Sequence, residues 1–105
     1  MTKVNITIGA CRLYAQVTVK KRKKYMVDLE IKTDCEHIER MAEEIGPNPI
    51  NGLEEFRTIF RSKVYQAADK TIPHPICTVP AGVLKAIEAE LELALPRDST
   101  IKFIK

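Results

Sequence analysis

Leu13-Tyr14-Ala15-Gln16-Val17-Thr18-Val19-Lys20 and Tyr25-Met26-Val27-Asp28-Leu29-Glu30-Ile31-Lys32, joined by a basic run, carry the pattern on which the architecture rests. In the first segment Leu13, Ala15, Val17 and Val19 alternate with Tyr14, Gln16, Thr18 and Lys20. In the second, Tyr25, Val27, Leu29 and Ile31 alternate with Met26, Asp28, Glu30 and Lys32. A period of two places all the apolar side chains of a strand on one face, so these are two half-buried strands. The run between them, Lys20-Lys21-Arg22-Lys23-Lys24, becomes the tip of a hairpin. Upstream, Val4, Ile6 and Ile8 alternate with Lys3, Asn5 and Thr7 and give a third strand, with Gly9-Ala10-Cys11 as a bend or bulge before the next.

The period then changes to that of a helix. Asp34 is the expected cap of a helix from about Cys35 to Ile45, with Ile38, Met41, Ala42 and Ile45 on one face and Gly46-Pro47 as its stop. Asn51, with Glu54 three residues on, predicts the start of a second helix whose stripe is Leu53, Phe56, Ile59, Phe60, Val64 and Ala67. The connector Thr71-Ile72-Pro73-His74-Pro75-Ile76 is too rich in proline to be helical. A third helix is expected from near Pro80, burying Val83, Leu84, Ile87 and Leu91 and ending before Pro96, and Thr100-Ile101-Lys102-Phe103-Ile104 reads as a closing strand. The expected architecture is α+β: a small, mainly antiparallel sheet of three to four strands with about three helices on one face.

A chain of 105 residues, 45% hydrophobic and 30% charged, fits one domain over residues 1–105 with one core. No stretch has the length and apolarity of a membrane span or the apolar start of a signal peptide, so a cytoplasmic location without a membrane partner is expected. The net charge of +3 is local: setting the run Lys20–Lys24 aside turns it to −2. That run is a candidate anion or nucleic-acid patch formed by Lys20, Lys21, Arg22, Lys23 and Lys24. No aromatic residue lies within it, and no recognition helix or stacking platform accompanies it. A lysine-rich tip also guards a sheet against edge pairing, which is the commoner role.

The three cysteines, Cys11, Cys35 and Cys77, are the leading candidates for a site. In a reducing compartment an odd set of thiols is usually free, metal-bound or catalytic. Cys35 and Cys77 both fall at expected helix starts, where the macrodipole and unpaired N–H groups favour thiolate, the form that binds metal. Cys11 on the bend adds a third sulfur, and His74, three residues before Cys77, is a candidate fourth ligand. Three sulfurs and a nitrogen suit zinc or a small iron–sulfur cluster. There is no Cys-x-x-Cys pair, so spacing alone also leaves open that the cysteines are small buried hydrophobes. Arg12 beside Cys11 is either an anion contact or a solvated strand residue, and His37 reads as a surface histidine. Cys77 with His74 has the first element of a cysteine nucleophile but no orienting third group or oxyanion motif, so a carrier is favoured over a catalyst.

Gly9-Ala10-Cys11 ahead of a hairpin, Lys32-Thr33-Asp34-Cys35 from strand into helix, and a proline-containing segment leading through His74 and Cys77 into a helix resemble the U-type iron–sulfur cluster scaffold proteins over about Gly9 to Leu91. That resemblance implies ligands at Cys11, Cys35 and Cys77, transient assembly of a cluster or zinc ion, and transfer to acceptor or assembly proteins. Arg12 stands where that family has aspartate, Asp34 and Glu36 replace glycines, and the histidine adjacent to the third cysteine is displaced to His74. The chain also resembles, over more of its length, an uncharacterised group of small proteins from methanogenic archaea and anaerobic bacteria with a similar Cys-x-Val-Pro helix, which implies no activity. Oligomeric state is open on the sequence, since a dimer sharing a cluster uses three thiols per chain as readily as a monomer does.

Overall fold

A computed structural model describes all residues, 1–105. Three of the four strands fall where the period-two patterns place them: β1 (Thr2–Thr7), β2 (Tyr14–Lys21) and β3 (Met26–Thr33). They form an antiparallel meander with β4 (Ile50–Asn51) in the order β1-β2-β3-β4. The register carries the alternation across the sheet, since Val4 opposes Val17 and Val17 opposes Ile31, while Asn5 opposes Gln16 and Gln16 opposes Lys32. One face is therefore apolar from edge to edge and the other polar.

The apolar face is covered by α1 (Glu36–Ile45), α2 (Lys63–Thr71) and α3 (Val79–Glu90). α3 lies against β1 and β2, α1 against β3, and α2 packs on α1 and α3. The core is one cluster of 18 buried residues in which Val17, Val19, Val27, Ile38, Met41, Val64, Val83 and Ile87 are completely buried. Each such side chain removed from water contributes about 1.5–3 kcal/mol. Gly82 sets the closest approach between layers: a Cβ there would meet Cδ1 of Ile6 and come within 2.8 Å of its Cγ1. No helix is long and apolar enough to cross a membrane.

Of the bend or bulge expected at Gly9-Ala10-Cys11, the structure has the bend: Gly9–Arg12 is a tight hairpin turn in which Arg12 N–H donates to Gly9 O at 2.8 Å and Ile8 N–H to Leu13 O at 3.0 Å, with Gly9 at φ +106° and Arg12 at +61°. Four local expectations are corrected. Asp34 does not cap α1; Cys35 is the N-cap, and Asp34 Oδ1 instead accepts from Tyr14 N–H at 3.0 Å, tying the helix entry to β2. The helix expected from Asn51 through Ala67 is split. Asn51 caps a short 3₁₀ turn, Gly52–Phe56, and α2 starts afresh behind Ser62, whose Oγ accepts from Tyr65 N–H. The chain reverses between them because Glu55, 3% exposed, turns back onto the start of α2, and this leaves Ile59 and Phe60 on the surface. α3 ends at Glu90, well before Pro96, because Glu92 takes φ +59° and Leu93 N–H closes on Glu88 O. Thr100–Ile104 forms no strand and is exposed throughout.

Glu90 locks α3 to the sheet. Its carboxylate, 10% exposed, accepts from the Thr2 hydroxyl at 2.7 Å and the Lys21 N–H at 2.8 Å, with the N-terminal ammonium 3.2 Å away. Burial works to raise its pKa, but these hydrogen bonds and the ammonium together outweigh burial and hold it below the usual carboxylate value. A carboxyl whose pKa is depressed on folding stabilises the fold above its unfolded pKa of about 4.3 and loses that contribution as pH falls through the folded value. Glu90→Gln should therefore cost about 1 kcal/mol at pH 7. In urea titrations the difference from wild type should shrink below about pH 4. An equal difference at pH 7 and pH 3 would show that the charge plays no part.

Candidate metal centre

The meander places the β1–β2 turn and the C-terminal end of β3 at the same end of the sheet, since Thr7 opposes Tyr14 and Ala15 opposes Thr33. Cys11 is exposed on that turn. Cys35, 8% exposed, leaves β3 at the same end and is held from two sides. Its N–H donates to Thr33 Oγ1 at 3.1 Å, the Thr33 hydroxyl donates to Tyr14 O at 2.6 Å, and Cys35 O accepts the first helical bond from Glu39 N–H at 3.0 Å. Its side chain makes no capping bond, so the sulfur remains available.

Cys77 arrives from the proline-rich connector, half-buried just before α3. Burial is the largest influence on its thiol and raises the pKa above the ordinary value; the Val79 N–H pulls it down, and the sulfurs of Cys35 and Cys11 push it up again. The thiolate expected at this helix start is thus overturned: at neutral pH Cys77 is a thiol, because desolvation outweighs the helix terminus. The same balance shows that Cys77 lies within electrostatic reach of both other sulfurs. Residues 24 and 42 positions apart in sequence are thus brought within electrostatic reach of Cys77.

His74 is exposed and lines, together with Cys77, an open groove of about 1080 Å³ whose walls include Ile59, Phe60, Tyr65 and Ile72. Nothing in the helical stripe marked Ile59 and Phe60 as groove walls; their exposure follows from the reversal at Glu55. The hydroxyl of Thr78, between Cys77 and α3, is buried with no hydrogen-bond partner. His37 is half-buried on α1 with Nδ1 2.7 Å from Arg40 Nη2. Arg12 is exposed on the turn. No three His, Cys, Asp or Glu side chains stand in an arrangement that could hold a metal ion as they are placed.

The basic run occupies the opposite end of the sheet. Lys20 and Lys21 finish β2, and Arg22–Tyr25 form the tip, closed by Arg22 N–H to Met26 O at 2.9 Å and Met26 N–H to Lys23 O at 3.0 Å. All five cations are exposed, and Arg22 alone among them is in an ion pair, with Asp28 at 2.8 Å.

Fold and site together define a small α+β domain with a helix-covered antiparallel meander and three free cysteines, two of which lie within electrostatic reach of the third. The model of a family of unknown function, DUF6951, matches residues 2–103, and the chain belongs to that family. No curated protein and no solved structure matches it.

Proposed function

We propose that this protein binds a thiophilic metal ion or a small iron–sulfur cluster through Cys11, Cys35 and Cys77, with His74 as the fourth ligand, and passes it to acceptor proteins. The observation that supports this reading is that Cys77 feels the sulfurs of both Cys35 and Cys11, which come from two other segments of the chain. The donor set suits zinc or iron–sulfur, both of which take thiolate and imidazole. Ligation requires the sulfurs to close to about 2.3 Å from a common ion. Two of the three sit where that movement is least constrained, Cys11 on a turn and Cys77 at the end of an irregular connector. A site that closes only on its metal also suits a carrier, which must release its cargo. The reading goes with a reducing compartment such as the cytoplasm, where three unpaired thiols persist.

A second reading is carried by the basic tip, where Lys20, Lys21, Lys23 and Lys24 are exposed and outside every ion pair. Such a cluster binds phosphates of nucleic acids with strong salt dependence and little sequence discrimination.

The metal reading is tested by measuring zinc, iron and acid-labile sulfide in protein purified without oxygen, and again after loading with zinc or with iron and sulfide. The expected result is stoichiometric metal per chain, or per pair of chains, that survives desalting. Protein that stays empty under both loading regimes would remove the site.

A further inference from the structure

The two edges of the sheet are treated differently. Along β3, Asn48 covers the edge beyond β4: its side chain accepts from Leu29 N–H and donates to Leu29 O, each at 3.0 Å, which uses both backbone groups of that residue. The other edge is β1, six residues long, with no strand outside it in the sheet order and no covering side chain bonded to its backbone; Glu90 at its start takes the Thr2 hydroxyl instead. It carries one charge, Lys3, and no proline. An edge of that length with unpaired N–H and C=O groups is a template for a further strand. Val4, within it, and Ile8, just beyond its end, are both incompletely buried.

The same chain holds a strand with no sheet to join. Every residue from Glu92 to Lys105 is exposed except that the segment is anchored through buried Leu91, and Ile101, Phe103 and Ile104 are 82%, 93% and 98% exposed. Thr100-Ile101-Lys102-Phe103-Ile104 has β-favouring residues in an alternating order, with no glycine or proline after Pro96. A bare apolar strand and a bare sheet edge on one chain are complementary halves of one contact.

We propose that Thr100–Ile104 of one copy adds antiparallel to the β1 edge of a second copy, with the exchange made reciprocally about a twofold axis. An antiparallel register placing Ile101 beside Ile6 and Phe103 beside Val4 directs both apolar side chains to the helix-covered face, beside the partly exposed Val4. It sets Lys102 opposite Asn5 and Thr100 opposite Thr7, so no like charges face each other. Main-chain hydrogen bonds supply the affinity and the two apolar side-chain contacts the specificity, as in strand addition generally. The seven residues from Glu92 to Asp98 span about 25 Å when extended, enough to cross between copies. Reciprocal exchange about the twofold axis closes the contact at two copies, where one-way donation from copy to copy would run on as a filament.

The test is light scattering coupled to size exclusion on the full chain, with reductant to keep exposed Cys11 from cross-linking, alongside the full-chain double variant Ile101→Asp/Phe103→Asp. Both substitutions fall outside the core, so the variant should keep the wild-type circular dichroism. Wild type should run at about twice 11.9 kDa and the variant as a monomer, with amide exchange in β1 accelerating at least tenfold in the variant. A wild type that is monomeric at high micromolar concentration overturns the proposal, whether its β1 amides exchange freely or are protected by its own tail. A dimer that survives the double substitution overturns it as well.

Discussion

Glu55→Ala should lower the stability of this protein by roughly 3 kcal/mol, which for a chain of this size is a fall in melting temperature of about 15 °C. Glu55 is 3% exposed, and its carboxylate takes three hydrogen bonds: from Ser62 Oγ at 2.7 Å, from Val64 N–H at 3.0 Å and from Lys63 N–H at 3.1 Å. The last two are among the four N–H groups that the first turn of α2 cannot satisfy within the helix. Alanine leaves them without acceptors, and leaves the completely buried Ser62 hydroxyl with Tyr65 N–H but no acceptor for its own proton, in a place water reaches poorly. It also removes a negative charge from the positive end of the helix. Since a domain of this kind has about 5–15 kcal/mol in hand, the loss is a large share of the whole. Glu55→Gln separates charge from geometry. Its one oxygen can still receive Ser62 and Val64 while its amide faces Lys63 N–H, so the cost should be intermediate. Thermal and urea unfolding measure both variants, and a loss below 1 kcal/mol for alanine would mean that Glu55 does not hold the reversal in place.

That carboxylate also explains where the sequence misleads. Leu53, Phe56, Ile59, Phe60, Val64 and Ala67 keep helical spacing straight through the reversal, so the periodicity describes one helix where there are a 3₁₀ turn and a separate α2. What breaks it is a contact between Glu55 and Ser62 in three dimensions, and Ser62 as an N-cap is the only local sign of it. β1, β2 and β3 were legible because a period of two over six to eight residues reports burial on one face directly. β4, two residues long, has too little pattern to read. Thr100–Ile104 has the pattern but no partner edge within its own chain, and pattern alone does not supply one. At the site, the positions of Cys11, Cys35 and Cys77 at the ends of elements followed from the strand and helix patterns. The state of Cys77 did not, because its burial is set by residues remote in sequence and outweighs the local helix terminus.

Cys35→Ala should weaken metal binding by on the order of 100-fold or more, since second-shell changes alone cost 10–100-fold and this one removes a ligand. Cys35 is the sharpest of the three positions to test because it is the most buried and the most firmly held, as the N-cap of α1 beside the Thr33–Tyr14 bonds. Alanine at a cysteine site removes one sulfur atom, so unfolding should shift by only about 1 kcal/mol and a loss of affinity cannot be charged to misfolding. Cys77 contributes a different signature. Its thiol pKa is raised by burial and by the two neighbouring sulfurs, so the proton is present at pH 7 and must leave when metal binds. Affinity should therefore climb with pH by about tenfold per unit for each such proton, and Cys77→Ala should both weaken binding and lower that slope by about one. Competition titrations with a chromophoric zinc chelator across neutral pH read affinity and slope together. If Cys35→Ala binds as tightly as wild type, Cys35 is a core residue and not a ligand; if Cys77→Ala leaves the slope unchanged, the protons released come from elsewhere and the corner of three thiols is not the site.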